Sequence, residues 1–468
     1  MDDTKSSSKA TNNRLVRTKL TKRGYSLFKK DLTKKEIREL RKELTVKPYV
    51  HNNYGAVPVP YPVYLESCSK LYLPRTYGLQ KFGEPDVNKI KEGQGIEVSF
   101  TQLLREKQKP IVDAYIKSSK TTNGGGIICV PCGYGKTVIA LYLLAQLKKK
   151  TLIIVHKSFL MNQWIERIKM FLNPEIRIGK IQGKTCNIVN KDIVLGMLQS
   201  VSMKEYPEDM FDEFGMVIFD ECHHLSAEVF SRALIKVSPK YLLGLSATPN
   251  RKDGLSKVFR WFLGDYVYNI KKREDEDVDV CCVKFIDMEP SYKKTVLNYY
   301  GKMNMAQMIN NICAYKPRTK CIIKYIKPLI LEGRKILILS DRREHLKVIK
   351  QYLDSKEICD SGYYLGGMKQ KELKVSEQKQ VLLATYSMAS EGFDVPTLNT
   401  LVLASPKSNI VQSVGRILRQ RPENRKYKPY ILDIVDVFSI FKNQAKKRRS
   451  YYLKCSYHII DDNYNKND

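Results

Sequence analysis

Apolar positions in this chain fall into two alternating patterns. Short runs that are apolar throughout stand at 127–130 (IICV), 152–155 (LIIV), 193–195 (IVL), 216–219 (MVIF) and 242–245 (LLGL). Between them lie longer stretches, such as 141–147 (LYLLAQL) and 159–172 (FLMNQWIERIKMFL), with apolar residues every three to four positions. The short runs read as strands covered on both faces and the longer ones as helices. Strand and helix in strict alternation predict a parallel sheet with helices on its faces. The rhythm breaks at 271–280 (KKREDEDVDV), which reads as a charged connector or exposed hairpin, and residues 284–312 read as an inserted helical element. It then resumes, with helices at 321–333 and 343–355 and strands at 335–340, 380–386, 397–405 and 430–436. The expectation is two α/β domains in tandem.

The ends follow other patterns. Residues 1–30 are polar and basic, and their start is expected to be disordered. Residues 29–44 have helical spacing with opposite charges three to four apart. Residues 46–73, rich in Pro, Tyr and Val, suggest short strands in a small module whose fold the pattern leaves open. The domain limits read as 1–95 for this module, 96–270 and 311–440 for the two α/β domains, 271–310 for the connector and 441–468 for a basic tail.

Composition narrows the function. No apolar run approaches the roughly 20 residues that span a bilayer, and the opening MDDTKSSSKATNN has no apolar core of a secretory signal. Eleven cysteines lie scattered. Cys129 and Cys132 have a CxxC spacing with no second pair, so reduced thiols inside a cell are favoured over zinc or disulfides. Lys and Arg number 81 against 49 acids, a formal charge of +32. That excess calls for a polyanionic partner, most simply nucleic acid. A lysine-rich, AT-biased genome would also raise it.

Chemistry enters at 126–140 (GIICVPCGYGKTVIA), an apolar strand, a glycine turn and a helix start. Gly133 and Gly135 let backbone N–H groups converge on an anion. Tyr134 lies between them, Lys136 adds a cation, and Thr137 a hydroxyl at a helix N-terminus, where phosphates bind. The full Walker A spacing would place a glycine at 130, where Val130 stands, so only the short form GxGKT is present. A second apolar strand ends in Asp220 and Glu221. Beside a phosphate loop, Asp220 suits a Mg²⁺ ion and Glu221 suits the attacking water. Taken alone, the pair is also an ordinary charged strand end.

GYGKT at 133–137, DECH at 220–223, SAT at 246–248 and QSVGRILR at 412–419 occur in the order of the superfamily 2 helicases, which the chain closely resembles over roughly 99–436. HKSFLMNQW at 156–164 and GLSATPNRKDG at 244–254 resemble the XPB/UvsW branch. The sequence is most similar to the poxvirus-type transcript-release helicases of large cytoplasmic DNA viruses.

The resemblance implies two tandem RecA-like domains, ATP and Mg²⁺. It assigns Arg105 and Gln108 to adenine reading and Gly133, Tyr134, Gly135, Lys136 and Thr137 to the phosphates. Thr137 and Asp220 would hold the metal and Glu221 the water. His223, Ser246, Thr248, Arg251 and Asp253 would couple hydrolysis to movement. Gly392 and Asp394 would touch nucleotide and strand, with Gln412, Arg416 and Arg419 approaching the γ-phosphate as the cleft between the domains closes. Read without the family, Arg416 and Arg419 could be a basic helix face. By family position, His156, Lys157, Gln199, Ser200, Ser340, Asp341 and Thr385 would contact a nucleic-acid backbone.

The leading expectation is therefore a monomeric ATP-dependent translocase and helicase on DNA, with RNA a less favoured partner. The alternatives are an RNA helicase or transcript-release ATPase working with transcription machinery, and a non-catalytic nucleic-acid-binding scaffold. An intracellular site is expected: the cytoplasm of an infected cell or a virion if the chain is viral, and the nucleus if KKRR at 446–449 is an address rather than a solvated helix face.

Overall fold

A computed structural model gives the fold and describes residues 16–48, 59–131, 133–222, 227–247, 254–270, 277–390, 395–420 and 422–465. The chain divides into two compact units near residue 271.

The N-terminal module is built on a sheet. Its strands are β1 (Thr18–Thr21), β2 (Gly24–Phe28), β3 (Thr45–Val46), β4 (Tyr61–Pro62), β5 (Leu65–Glu66), β6 (Lys70–Leu73) and β7 (Val87–Asn88). Five of them pair in the order β5-β6-β2-β1-β7, and β3 pairs with β4 alone. Alternation buries Leu20, Tyr25, Leu27, Leu71 and Leu73 on one face. The helix expected over 29–44 begins later, at Lys34, and ends at Glu43. Thr33 and Glu36 set its start through a capping box: the Thr33 hydroxyl accepts from the Glu36 N–H at 3.2 Å, and the Glu36 carboxylate accepts from the Thr33 N–H at 2.6 Å.

Arg75 ties this module to the first parallel sheet. Its guanidinium is buried and donates to the carbonyls of Asn123, Pro239 and Lys240 at 3.2, 2.5 and 3.1 Å. Asn123 and Lys240 stand just before the strands that begin at Gly125 and Tyr241. The anchor therefore grips the edge of the sheet opposite the phosphate loop. With no carboxylate beside it, burial pushes the guanidinium down to about 10.

The first α/β sheet contains β8 (Gly125–Cys129), β9 (Thr151–Val155), β10 (Ile178–Gln182), β11 (Thr185–Asn187), β12 (Ile193–Met197), β13 (Met216–Phe219), β14 (Tyr241–Ser246) and β15 (Tyr266–Asn269). Their order is β11-β10-β12-β9-β13-β14-β8-β15, parallel except for the β10–β11 hairpin. The apolar runs are its central strands: Ile128, Ile153, Ile218 and Leu243 have no exposed surface. Ahead of this sheet, a 3₁₀ turn at Glu106–Gln108 is followed by a helix at Lys109–Ser119. Pro110 has no N–H to donate and so fits only the first turn of a helix. Arg105 and Gln108 thus precede that helix.

The second unit is a seven-stranded sheet, parallel throughout. It comprises β16 (Asp279–Ile286), β17 (Ile336–Ser340), β18 (Ser361–Tyr364), β19 (Val381–Thr385), β20 (Thr400–Leu403), β21 (Tyr430–Asp436) and β22 (His458–Asn465), ordered β18-β19-β17-β20-β21-β16-β22. Two segments differ from expectation. Within the supposed connector and insert, β16 is a sheet strand between β21 and β22, and the supposed tail supplies β22. The KKRR run lies in helix Ser439–Lys454, where Arg448 is buried against Asp433 at 2.8 Å and Arg449 pairs with Asp461 at 2.6 Å. It is neither a wholly solvated face nor a loose basic peptide. A further buried pair, Arg318 with Asp436 at 2.7 Å, joins a helix to the end of β21. Among the described residues no helix is long and apolar enough to cross a membrane.

Replacing Arg75 with Ala should orphan three carbonyls and destabilise the first unit by roughly 3 kcal/mol. Thermal unfolding of Arg75→Ala should shift down by several degrees, and Arg75→Lys, which keeps a cation and fewer donors, should fall between it and the parent.

Candidate nucleotide site

The phosphate loop leaves the sheet after Cys129 and enters helix Lys136–Leu147. Gly133 and Gly135 have φ of +89° and +82°, the left-handed region that side chains resist. Gly135 is doubly constrained, since a Cβ there would stand 2.5 Å from Nε2 of Gln108. That amide is buried and braces the loop. Its Nε2 donates to the Tyr134 carbonyl at 2.8 Å, and its Oε1 accepts from the Arg105 N–H at 3.0 Å. Arg105 itself is exposed. Gly133 is exposed, and Tyr134, Gly135, Lys136 and Thr137 are half-buried.

The parallel register brings the other groups to the same edge. β13 and β14 lie side by side and β14 pairs with β8, placing Ser246 opposite Cys129. Lys136 Nζ meets Glu221 Oε1 at 3.2 Å, with both side chains largely shielded from solvent. Glu221 has φ of +47°, an unusual value for a residue with a side chain and one found at strained functional positions. Asp220 is buried, and its Oδ2 accepts from the indole N–H of Trp164 at 2.8 Å. Desolvation, then the neighbouring Glu221 charge, pushes the Asp220 carboxyl up to about 6. Burial also pushes the Cys129 thiol beneath the loop up to about 11, so it is no nucleophile. Cys222 is buried.

In the second unit, Gln412 lies in the short helix Val411–Val414, with Arg416 in the turn after it and Arg419 just beyond that turn. They are therefore not a basic helix face. Arg416 is buried, and its Nε donates to the Ala389 carbonyl at 2.5 Å; Arg419 is half-buried. His223, Thr248, Arg251, Asp253, Gly392 and Asp394 lie outside the described residues.

Comparison with known proteins agrees with this arrangement. Residues 102–251 match the family described as type III restriction enzyme, res subunit, and residues 317–421 match the helicase conserved C-terminal domain. An Acanthamoeba polyphaga mimivirus protein bearing the name of an ATP-dependent RNA helicase is 37% identical over 95% of this chain and 86% of its own length. The chain is a superfamily 2 helicase. This helicase is also 26% identical to an African swine fever virus protein that carries the same kind of name, over 78% of this chain and 75% of that one. A restriction-enzyme subunit fragment from Vibrio vulnificus YJ016 shares its fold, with a TM-score of 0.55 and 18% identity over 79% of this chain and 70% of that one. The two parallel sheets are thus tandem RecA-like domains. The helicase is an ATP-hydrolysing enzyme that binds nucleic acid, of the kind found in large DNA viruses. The scaffold reading falls.

The residues expected to touch a nucleic-acid backbone are unevenly placed in the helicase. His156 and Lys157 follow β9 and are half-buried, Gln199 is exposed, and the half-buried Thr385 shares a hydroxyl contact with Ser387 at 3.1 Å. Ser200 and Ser340 differ from expectation. Both are buried, and their hydroxyls accept from the N–H groups of Gly183 and Arg342, leaving little surface for a strand. Asp341 is held by Lys407 at 2.9 Å. Sequence reasoning noted Trp164 only as part of a family motif. Its hydrogen bond to Asp220 spans 56 residues and has no local sequence signal.

The raised Asp220 value makes a sign-definite prediction. Folding penalises the ionised carboxyl above about pH 6 and not below the ordinary carboxylate range near 3.8. Asp220→Asn, which can still accept from Trp164, should therefore stabilise the metal-free helicase by about 2 kcal/mol near pH 7.5. The gain should shrink toward zero near pH 4. Thermal melts at both values check it.

Proposed function

We propose that the helicase hydrolyses ATP at the loop bearing Lys136 and uses the cycle to move along, and separate, DNA. The observation that carries the nucleotide assignment is the Lys136–Glu221 pair beside the buried Asp220. An ammonium and two carboxylates at the C-terminal edge of a parallel sheet are the charges that a nucleotide phosphate, a metal and a water would take up. Incoming phosphates compete for Lys136 and release Glu221 to orient the attacking water. Asp220 and the Thr137 hydroxyl offer hard oxygen donors that suit Mg²⁺, and a cation would offset the cost of burying Asp220. When bound, the metal neutralises charge on the phosphates. Gln108 keeps the loop in shape through the Tyr134 carbonyl. Arg416 and Arg419 of the second domain supply positive charge to the γ-phosphate during turnover. Ser246, beside Cys129 at the sheet edge, couples the nucleotide to movement.

The match of residues 102–251 to a restriction-enzyme subunit supports DNA, since restriction acts on DNA. The names of the mimivirus and swine fever virus relatives support a second reading, an RNA helicase. The charge of +32 fits either strand.

Lys136→Ala should abolish turnover with little loss of nucleic-acid affinity, and Glu221→Gln should bind ATP without cleaving it. Arg416→Ala should slow hydrolysis on the order of 10³-fold with little change in ATP binding. Phosphate-release rates and nucleotide titrations separate these effects, and near-normal hydrolysis by Lys136→Ala would remove the assignment.

For the substrate, ATPase rates are titrated with matched DNA and RNA strands, followed by displacement assays on tailed duplexes. Greater stimulation and unwinding with DNA is expected. Activity on RNA alone would establish the second reading.

A further inference from the structure

The N-terminal sheet has two unlike faces. Its inner face is the apolar set described above. On the outer face the register sets Phe28 opposite Lys70 and Tyr72 opposite Ser26, with Lys19 on the neighbouring strand beside Ser26. Three cations gather on the Phe28 ring: Lys70, Arg17 and Lys19, at 4.8, 5.1 and 5.6 Å from its centroid. Arg23 lies 5.8 Å from the Tyr72 ring. Two carboxylates brace the arginines, Asp31 for Arg17 at 2.8 Å and Glu208 for Arg23 at 2.6 Å. Phe28, Tyr72, Lys19 and Lys70 remain half-exposed.

A solvated sheet face ordinarily carries mixed charges. Here Arg17, Lys19, Arg23 and Phe28 come from residues 17–35, RTKLTKRGYSLFKKDLTKK, where Asp31 is the one acid among eight Lys and Arg residues, and Lys70 and Tyr72 come from β6. Two aromatic rings on neighbouring antiparallel strands, ringed by cations, match the chemistry of an unpaired nucleic-acid strand. Bases stack on the rings and the flanking phosphates meet the ammonium and guanidinium groups. A duplex keeps its bases stacked inside and could use only the charges. An acidic protein would leave the two rings without a role.

We propose that this outer face, with Phe28 and Tyr72 as stacking platforms and Arg17, Lys19, Arg23 and Lys70 as phosphate contacts, binds a single strand of DNA or RNA. The face lies outside the helicase motifs and adds to their grip on the substrate. The inference rests on the reading that the enzyme tracks nucleic acid.

The test uses the full chain and two variants, Phe28→Ala with Tyr72→Ala, and Lys19→Gln with Lys70→Gln. The second pair removes only half-exposed charges, so it guards against misfolding in the first. Binding of labelled oligothymidylate, oligouridylate and a blunt duplex, each of about 20 nucleotides or base pairs and so longer than one such platform covers, is followed by anisotropy across a salt series. Both variants should lose about tenfold in single-strand affinity, in keeping with the loss of base stacking or of phosphate contacts. The lysine variant should lower the salt slope by about 1.4, roughly 0.7 for each cation removed. Nucleic-acid-free ATPase and the rate at saturating strand should stay near the parent's. Unchanged affinity and slope in both variants would overturn the proposal, as would an equal loss on the blunt duplex in both. Loss confined to one of the two oligonucleotides would assign the face to that nucleic acid. Failure of the parent itself to bind or respond to any nucleic acid would instead remove the underlying reading.

Discussion

Asp220 is an anion kept out of water. Its carboxylate sits where β13 runs out, between the indole N–H of Trp164 and the backbone turn that carries Glu221. In a low-dielectric setting it repels Glu221, which turns instead to Lys136. The groups expected to handle phosphate, metal and water are thus already strained against one another before any ligand binds. Rigid strands make this tolerable. β13, β14 and β8 are adjacent and closely packed, with their central residues buried, so their ends cannot drift apart to relieve the repulsion. A cation and a polyphosphate would satisfy these charges at once, which lets binding energy derive from a cost the fold already carries.

The second domain meets a similar difficulty with a different answer. Asp433 and Asp436 lie on the buried strand β21, and each is matched by a buried arginine, Arg448 and Arg318. Tyr452 and Tyr292 add hydrogen bonds at 2.9 and 2.7 Å. These carboxylates are structural. Removing either arginine would strand a charge in the core, a loss larger than the net worth of the pair. Contrast with Asp220 is instructive: an acid matched by arginine and tyrosine holds the fold, whereas an acid matched by one indole is left with appetite for a metal.

How much could be read beforehand depended on how local the signal was. The phosphate loop was legible because its glycines, Lys136 and Thr137 occupy one short stretch and each has a backbone or charge reason to be there. The central strands were legible because burial on both faces writes continuous apolar runs. The N-terminal sheet was legible only in part: short strands were expected within 46–73, where β4, β5 and β6 lie, but β1 alternates Leu20 with Lys19 and both β5 and β7 span just two residues, too little to show how the strands pair. Strands β16 and β22 escaped notice among charged neighbours, because Asp279, Lys284, Asp461 and Asp462 mask a pattern that only pairing over great sequence distance makes sheet-like. The burial of Ser340 and Ser200 could not be inferred from residue type, and Arg448 looked like solvent-facing charge until its partner on β21 was known.

The placement of β16 between β21 and β22 also orders events in time. A strand made at residues 279–286 must wait for partners at 430–436 and 458–465 before either of its edges is covered. The first domain's sheet draws every strand from residues 125–269 and can close as soon as that stretch has left the ribosome. Synthesis at about 5–20 residues per second then leaves the second domain's opening strand exposed for on the order of ten seconds. Its run of buried apolar residues and cysteines, VCCV, makes that interval the part of the helicase's biogenesis most open to mispairing and to capture by chaperones.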